Sequence, residues 1–329
     1  MTPSSIYDVY WTFAAERQAM YNRRIASSTG VLTDDPILRA YRFTNAYRAA
    51  DRVSQYLIKN VQYRPDRSSA PQEIFFRTLL FKIFNKIETW ESIEAQLGPM
   101  SWQSVELEAV DALLSRAMDR GVRIYSPAYI MPAPRLGASR KHSNHLRLIA
   151  AMMEQGLPAR IERAGSLQAV FELLRAQPGV GSFLAFQYAI DLNYSTMINF
   201  DEGDFVVAGP GALDGISKCF AEAGGRSPEQ IIHHMADMQE KEFDRLGLAF
   251  DGLFGRRLQP IDCQNLFCEI SKYTRISHPH VAGLSGRTRI KQMYRPASRI
   301  EDAPFFPPKW GLSSTAVARE FRQFPMLFD

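Results

Sequence analysis

Cysteine is scarce in this chain, with Cys219, Cys263 and Cys268 as the three thiols among 329 residues. No C-x-x-C pair occurs, so a zinc ribbon, a four-cysteine iron–sulfur cluster and a disulfide framework all lack ligands, and a reducing, cytoplasmic setting is expected. No stretch approaches 18 uncharged apolar residues, and the first 24 residues mix Tyr, Asp, Glu and Arg without an apolar run. Neither a membrane span nor a secretion signal is expected from that pattern. Histidine is also sparse, and His233-His234 and His278-Pro279-His280 show no convergent spacing with a carboxylate or a thiol, which excludes an evident metal hydrolase. The string GxxxxGK[ST] is missing, which argues against a P-loop kinase. Internal repeats, low-complexity tracts, Asn-Gly hairpins and alternating strands are absent as well.

What is present is the composition of a compact folded protein, 46% hydrophobic, 12% aromatic and 22% charged. Net charge is a mild +4, but it is unevenly spread. Residues 201–250 hold 10 acidic and 4 basic side chains, whereas residues 251–300 hold 9 basic and 3 acidic. A polarised surface follows, and with it the prospect of a polyanionic partner.

Helical periodicity dominates. From Ile37 to Val61, Asn45, Arg48, Arg52, Gln55 and Lys59 recur at steps of three and four, which predicts one helix with a polar stripe opposite Ala46, Ala49, Ala50, Val53 and Leu57. Gln72–Trp90 is apolar around most of its circumference, as a central core helix is, and further helices are predicted over 104–120, 142–155, 166–176, 182–192, 213–223 and 228–246. Between them, 126–141 reads as a Pro-rich basic surface loop, 193–211 as a Gly/Asp loop, and 298–308 as a Pro-rich tail wrapping the surface.

The turn Gln177-Pro178-Gly179-Val180-Gly181 separates two of these helices, and Ser182 opens the second. Glycine permits a tight turn and a close backbone approach, and the amides at a helix start suit a phosphate, so Gly179, Val180, Gly181 and Ser182 form a candidate grip on a nucleic-acid backbone. An ordinary helix–helix turn is the competing explanation. With the downstream loop Asp201-Glu202-Gly203-Asp204-Phe205-Val206-Val207, the hairpin at 173–185 resembles the helix-hairpin-helix DNA glycosylase superfamily. That resemblance implies a catalytic aspartate on the loop. Asp204 lies 26 residues after Pro178 and Asp201 lies 23 after it, and the apolar run after Asp204 favours Asp204 over Asp201.

A second resemblance covers about residues 40–275. The strings from Phe43-Thr44-Asn45 to Asp51-Arg52, from Glu73 to Arg77, from Phe81 to Asn85 and over Glu88-Thr89-Trp90 are similar to the α-glutamyl/putrescinyl thymine pyrophosphorylase family of hypermodified-DNA systems. Gly209-Pro210-Gly211-Ala212 and Gln264-Asn265-Leu266-Phe267-Cys268-Glu269 with Lys272-Tyr273 match the same family. The two resemblances together imply an all-α, two-lobed, helix-hairpin-helix glycosylase-like fold. They imply a monofunctional DNA glycosylase that flips out and excises a hydroxymethylated or glucosylated pyrimidine, such as hydroxymethylcytosine, from phage DNA. It would leave an abasic site and act in anti-phage defence. In that chemistry a carboxylate stabilises the oxocarbenium-like sugar and positions water. A Schiff-base lysine has no counterpart at Ser182-Phe183-Leu184. No metal or redox cofactor is required, and the hairpin offers a place for a structural monovalent cation.

For the base pocket, Asn45, Arg48, Gln55, Lys82, Asn85, Gln264 and Asn265 offer donors and acceptors suited to a base edge. Salt-bridged surface or inter-helix roles for Arg48, Asp51 and Arg52 remain the equal alternative. Glu88-Thr89-Trp90 reads as a structural helix terminus. Arg287, Arg289 and Lys291 carry the charge to contact phosphates, with a solvated face as the competing explanation. The expected organisation is an N-terminal extension (1–36), a two-lobed helical body (37–285) and a basic, Pro-rich C-terminal extension packed on it (286–329). The expected partner is double-stranded DNA bearing modified bases, with no membrane and no obligate protein partner. Two other functions fit the same residues: a transferase or pyrophosphorylase acting on a hydroxymethyl-pyrimidine, and a non-catalytic module that senses modified DNA.

Overall fold

The structure, a computed structural model, describes residues 1–26, 30–128, 131–295 and 303–312. In chain order it contains β1 (Thr2–Pro3), α1 (Ile6–Ala26), α2 (Pro36–Ala40), a 3-10 turn (Arg48–Ala50), α3 (Arg52–Tyr56) and a π-helical stretch (Leu57–Gln62). There follow α4 (Pro71–Phe84), α5 (Ile87–Leu97), α6 (Leu107–Asp119), α7 (Lys141–Glu154), α8 (Leu157–Glu162), α9 (Leu167–Arg175) and α10 (Ser182–Tyr194). The remaining elements are α11 (Pro210–Cys219), β2 (Phe220–Glu222), α12 (Pro228–Arg245), α13 (Pro260–Ser277) and a last 3-10 turn (Pro308–Trp310). The described chain is therefore all-α apart from β1 and β2, which pair antiparallel. None of its helices is long and apolar enough to cross a membrane.

The chain divides into two units, one from 1–51 with 205–329 and one from 52–204. In the first unit, α11 lies against α13 with almost no side-chain spacer. A Cβ on Gly215 would stand 2.0 Å from the Phe267 carbonyl oxygen, and one on Gly211 would stand 2.8 Å from Cys268 Sγ. These glycines are four apart and share one face of α11, so the sequence Gly211-Ala212-Leu213-Asp214-Gly215 makes the close approach possible. Against this pair packs α1, the helix in the stretch read as an N-terminal extension. Its Trp11 and Tyr10 are fully buried, with Trp11 edge-on to Phe243 at 5.2 Å and Tyr10 against Phe267 at 4.8 Å. The start of α12 carries a reciprocal cap between Ser227 and Gln230. In the tail, Phe306 meets Phe254 at 5.9 Å and Arg256 lies over the Trp310 ring. The expected wrapping of 298–308 falls partly on 298–302, outside the described residues.

In the second unit, α4 is buried along all but its first two residues, as its apolar circumference predicts. Two of its three buried charges, Glu73 and Arg77, close a polar loop. Arg77 Nη1 lies 3.6 Å from Glu73 Oε2, its guanidinium donates to the Val61 and Ser68 carbonyls, and Glu73 accepts the Trp102 and Gln103 amides. Phe81 and Thr89 make the Glu88-Thr89-Trp90 string structural, since Thr89 Oγ1 donates to the Ile124 carbonyl and buried Trp90 packs edge-on to Phe81.

Several helices differ from expectation for local reasons. The single helix expected over 37–61 is broken into α2, the 3-10 turn, α3 and the π stretch. The Thr44 and Asn45 amides donate to the Glu269 and Asp51 carboxylates, so these residues do not join a helical ladder and no continuous polar stripe runs from Asn45 to Lys59. The helix expected over 72–90 stops at Phe84 because Asn85 adopts φ 49, the left-handed region that a short amide side chain tolerates, and it resumes as α5. The helix expected over 213–223 begins earlier, at Pro210, and ends at Cys219, where Phe220–Glu222 turns to pair with the first residues of the chain.

Candidate functional site

A buried polar cluster of the first unit is built by α13 and the irregular segment 43–51. Asp262 and Glu269 stand seven residues apart, two turns of one face, and both reach that segment. Asp262 Oδ1 accepts the Arg48 amide at 2.8 Å while its Oδ2 accepts the Gln259 amide at 3.0 Å, which completes the α13 cap. Glu269 accepts the Thr44 amide at 3.0 Å and pairs with Lys272 at 2.7 Å, whose ammonium lies 4.6 Å from the Phe43 ring centroid. From α1, buried Arg17 donates to the Thr44 carbonyl at 2.9 Å and to Asn45 Oδ1 at 3.2 Å. Asn45 closes the loop by donating from Nδ2 to the Ala50 carbonyl and from its amide to Asp51 Oδ1, each at 2.8 Å.

Burial pushes the Asp51 carboxyl up to about 7. The Asn45 amide opposes the shift, the charge of Glu269 adds to it, and Arg17 and Arg48 oppose it. Burial likewise pushes Asp262 up to about 6 against the pull of the Gln259 and Arg48 amides. Free carboxyls in an unfolded chain titrate near 4, so the folded state binds these protons more tightly and stability falls as pH rises from about 4 to about 7. Asp51→Asn keeps an acceptor for the Asn45 amide and removes the titration. Its unfolding free energy in urea titrations should therefore exceed that of the parent by an amount that grows between about pH 4 and pH 7 and then stays constant, about 1–3 kcal/mol at pH 8. An offset that does not change with pH would show that Asp51 titrates normally.

The residues expected to line one base pocket divide between the units. Asn45, Arg48, Gln264 and Asn265 belong to the first, and Gln55, Lys82 and Asn85 to the second, which also holds Asp204, the expected catalytic carboxylate. Arg48 is joined to α13 through Asp262 and Asn45 to α1 through Arg17, while Glu269 of α13 holds the neighbouring Thr44. Gln264 is fully buried, donates to Cys268 Sγ at 3.3 Å, and leaves its own Oε1 without a hydrogen-bond partner. Asn265 is half-buried on the same helix. Arg17 and Asp262 are cluster members that the sequence did not single out, since no local pattern marks which charge a fold will bury. The Cys263 and Cys268 thiols are each pushed up to about 12 by burial, which keeps them neutral.

In the second unit Lys82 and Asn85 do meet. Lys82 Nζ lies 2.8 Å from Asn85 Oδ1 and 3.3 Å from Asp191 Oδ2 on α10. Gln62, from the π stretch, donates to the Asp191 carbonyl and to Thr78 Oγ1. Gln55 is half-buried on α3. The α9–α10 turn presents Gly179, Gly181 and Ser182 to solvent while Val180 is buried, and the first turn of α10 has no side-chain cap. Gly179 has φ 76, where a side chain is strained, and its missing Cβ would sit 3.3 Å from Pro134. Asp201 and Asp204 are both exposed. Asp201 Oδ1 accepts the Gly203 amide at 2.7 Å and its carbonyl accepts the Asp204 amide at 3.3 Å, so the two share one turn. Arg287, Arg289 and Lys291 are exposed in the first unit. A cleft of about 620 Å³ in that unit is lined by Phe13, Glu16, Arg23, Asp34 and Tyr273 among others, and by none of the sequence-predicted site residues. Among the described residues no three His, Cys, Asp or Glu side chains group as metal ligands.

One helical family accounts for most of this architecture, with its model matching residues 4–283 and so reaching into both units. The chain belongs to that family, the 5-hmdU DNA kinase helical domain. A curated relative, the 5-hmdU DNA kinase of Bacillus phage SP10, is 26% identical over 290 residues. The alignment covers 83% of this chain and 45% of the relative, so the chain spans less than half of the relative's length. No solved structure matches the chain.

These relatives correct the expected activity. The family and the phage protein are named for a kinase acting on a modified thymine-type nucleoside, so hydrolytic base excision, the monofunctional glycosylase and the defence role attached to it are overturned. Hydroxymethylcytosine as the excised base goes with them, and the catalytic role that the resemblance implied for Asp204 belonged to that reaction. The missing GxxxxGK[ST] string does not separate the chain from kinases either. A P-loop follows a strand of a parallel sheet, and the part of the kinase matched here is a helical domain.

Proposed function

We propose that this chain is the DNA-engaging helical part of an enzyme system that transfers a phosphoryl group to 5-hydroxymethyluracil in double-stranded DNA. The observation that carries this reading is family membership across residues 4–283. In such a transfer the hydroxymethyl oxygen attacks the terminal phosphorus of a nucleoside triphosphate, the nucleoside diphosphate leaves, and the hydroxyl proton passes to a base. The substituent at C5 of uracil points into the major groove, so its hydroxyl is reachable without the unstacking that chemistry at the glycosidic bond demands. Base flipping is therefore not required of this reaction.

Within the chain, the cluster around Asp51 supports the reading. A half-buried carboxylate held near neutral pKa and attended by Arg17 and Arg48 suits a group that accepts a hydroxyl proton beside an anionic substrate. The α9–α10 turn supports contact with a DNA backbone, in the manner of helix-hairpin-helix proteins, because its exposed glycines admit close approach. The chain carries no GxxxxGK[ST] string and spans less than half of the phage relative, so the donor nucleotide is assigned to a separate nucleotide-binding part.

The test compares fluorescence anisotropy of one duplex carrying 5-hydroxymethyluracil with the same duplex carrying thymine at that position. A preference of at least about fivefold is expected, the scale of one lost base contact. Equal affinities would refute recognition of the modified base. Mass spectrometry of the nucleosides after incubation with a nucleoside triphosphate and the nucleotide-binding partner should show a phosphorylated 5-hydroxymethyl nucleoside. Release of a free base would overturn phosphoryl transfer.

A further inference from the structure

Residues 283–294 form an irregular segment with little core content, since Ile290 is its single buried residue. Ordering a residue costs about 1–2 kcal/mol of backbone entropy, so such a segment stays in place only where specific bonds hold it. Here the bonds come from a buried polar network on α11 and α13. Asp214 Oδ1 accepts the Ser285 amide at 2.6 Å, and Asp214 Oδ2 accepts Ser271 Oγ. Lys218 Nζ, also buried, donates to the Ser271 carbonyl at 3.0 Å and to Thr274 Oγ1 at 3.1 Å. Gly283 fits directly against this network, because a Cβ there would stand 2.4 Å from Asp214 Oδ1 and 2.6 Å from Lys218 Cε.

Three further bonds extend the attachment. Arg275 donates to the Arg289 carbonyl at 3.2 Å, the Arg42 amide donates to the Gln292 carbonyl at 3.0 Å, and the Tyr294 amide donates to the Ala40 carbonyl at 2.9 Å. All of these engage the backbone. The cationic side chains of Arg287, Arg289 and Lys291, at every second position, are left exposed, and Arg42 is exposed beside Gln292. Among the described residues none of the four makes an ion pair, although the chain pairs many of its other arginines. A backbone held at both ends with its cations unneutralised is a preformed polyanion contact.

We propose that segment 283–294 is a fixed phosphate-binding strip, in which Arg287, Arg289 and Lys291 contact the sugar–phosphate backbone of DNA and Asp214 acts as the positioning residue that holds the strip in register. The proposal rests on the reading that DNA is the substrate and assigns the strip a part in affinity rather than in base choice, because phosphate contacts carry no sequence information.

The test measures the salt dependence of duplex binding for the full chain. Each phosphate neutralised contributes about 0.9 to the slope of log affinity against log salt, so the triple variant Arg287→Ala/Arg289→Ala/Lys291→Ala should flatten the slope by about 2.7. Its preference for 5-hydroxymethyluracil over thymine should be unchanged. An unchanged slope overturns the strip. A flattened slope in a protein that shows no such preference at all leaves the strip standing and removes the proposed function, so the two failures are distinguishable. Asp214→Asn retains every exposed cation, so it should weaken binding with the slope preserved and speed amide exchange over 283–290. Faster exchange with undiminished affinity overturns the positioning role. Should Asp214→Asn fail to fold, Ser271→Ala removes one of the two bonds and makes the same comparison. Vesicles containing phosphatidylglycerol replace DNA in a last arm, where no binding is expected, and strip-dependent vesicle binding would overturn the assignment to nucleic acid.

Discussion

Gly215→Ala should lower the unfolding free energy by about 3 kcal/mol or more, even though alanine is the better helix former by about 1 kcal/mol. The added methyl would lie 2.0 Å from the Phe267 carbonyl oxygen, which is backbone of α13 and cannot swing aside as a flexible side chain would. Relief requires α11 and α13 to separate, and that separation loosens the seat of α1 and of the Asp214–Ser271 bond at once. Overpacking of a core ordinarily costs about 1–3 kcal/mol, and a rigid backbone neighbour places this site at or above the upper end. Gly165→Ala is the matched control, because nothing lies within 4 Å of the place its methyl would take. Urea denaturation should show a large drop in midpoint for Gly215→Ala and almost none for Gly165→Ala. Equal midpoints would mean that the α11–α13 approach is not as close as described.

Arg77→Met should cost the second unit about 3–5 kcal/mol, the usual price of removing one partner of a buried ion pair. The substitution preserves most of the side-chain volume, so the loss reads the charge and its hydrogen bonds. Glu73 keeps the Trp102 and Gln103 amides but loses the guanidinium at 3.6 Å, and the Val61 and Ser68 carbonyls lose their donor. Arg77→Lys should recover only part of the loss, since an ammonium cannot serve the carboxylate and two carbonyls in fork geometry. The double variant Arg77→Met/Glu73→Gln should be more stable than the sum of its single variants implies, because it leaves no uncompensated charge. Strictly additive losses in the double-mutant cycle would show that the two side chains do not act as a pair.

Several periodic elements are legible in the sequence because their determinants are local, although α1 is not among the predicted helices. The buried circumference of α4, the start of α12 at Pro228 and the glycine turn between α9 and α10 each depend on residues within one or two turns of the feature. The segment 43–51 was not legible, because its shape is set from far away. Thr44 bonds a carboxylate 225 residues later, and Arg48 bonds one 214 residues later. Helical spacing in the string Asn45 to Lys59 was genuine, but long-range carboxylates compete successfully with the local ladder there. Asn85 shows the opposite scale, where one residue in the left-handed region interrupts an otherwise continuous apolar pattern.

The candidate site was legible to a different degree. Asn45, Arg48, Gln264 and Asn265 stand out in the sequence as polar residues in a family-like context, and the first unit joins Arg48 to Asp262 of α13, Asn45 to Arg17 of α1 and the neighbouring Thr44 to Glu269. Those joining charges are where burial acts, and burial is a property of the assembled unit that no spacing rule reports. Some family-like strings turned out to hold the core together. Glu73, Arg77, Thr89 and Trp90 are buried clamps, so these strings carry information about folding as well as about chemistry.

The discontinuous first unit also sets an order of events at the ribosome. Tyr10 donates to the Cys263 carbonyl, 253 residues further along the chain. At about 5–20 residues per second, α1 emerges roughly 10–50 seconds before the helix it packs on. Segment 52–204 is continuous and can close on itself in the interval, while Tyr10, Trp11 and the rest of the apolar face of α1 wait in water. Nascent chains of this protein thus carry the aromatic residues of α1 uncovered until α13 has emerged.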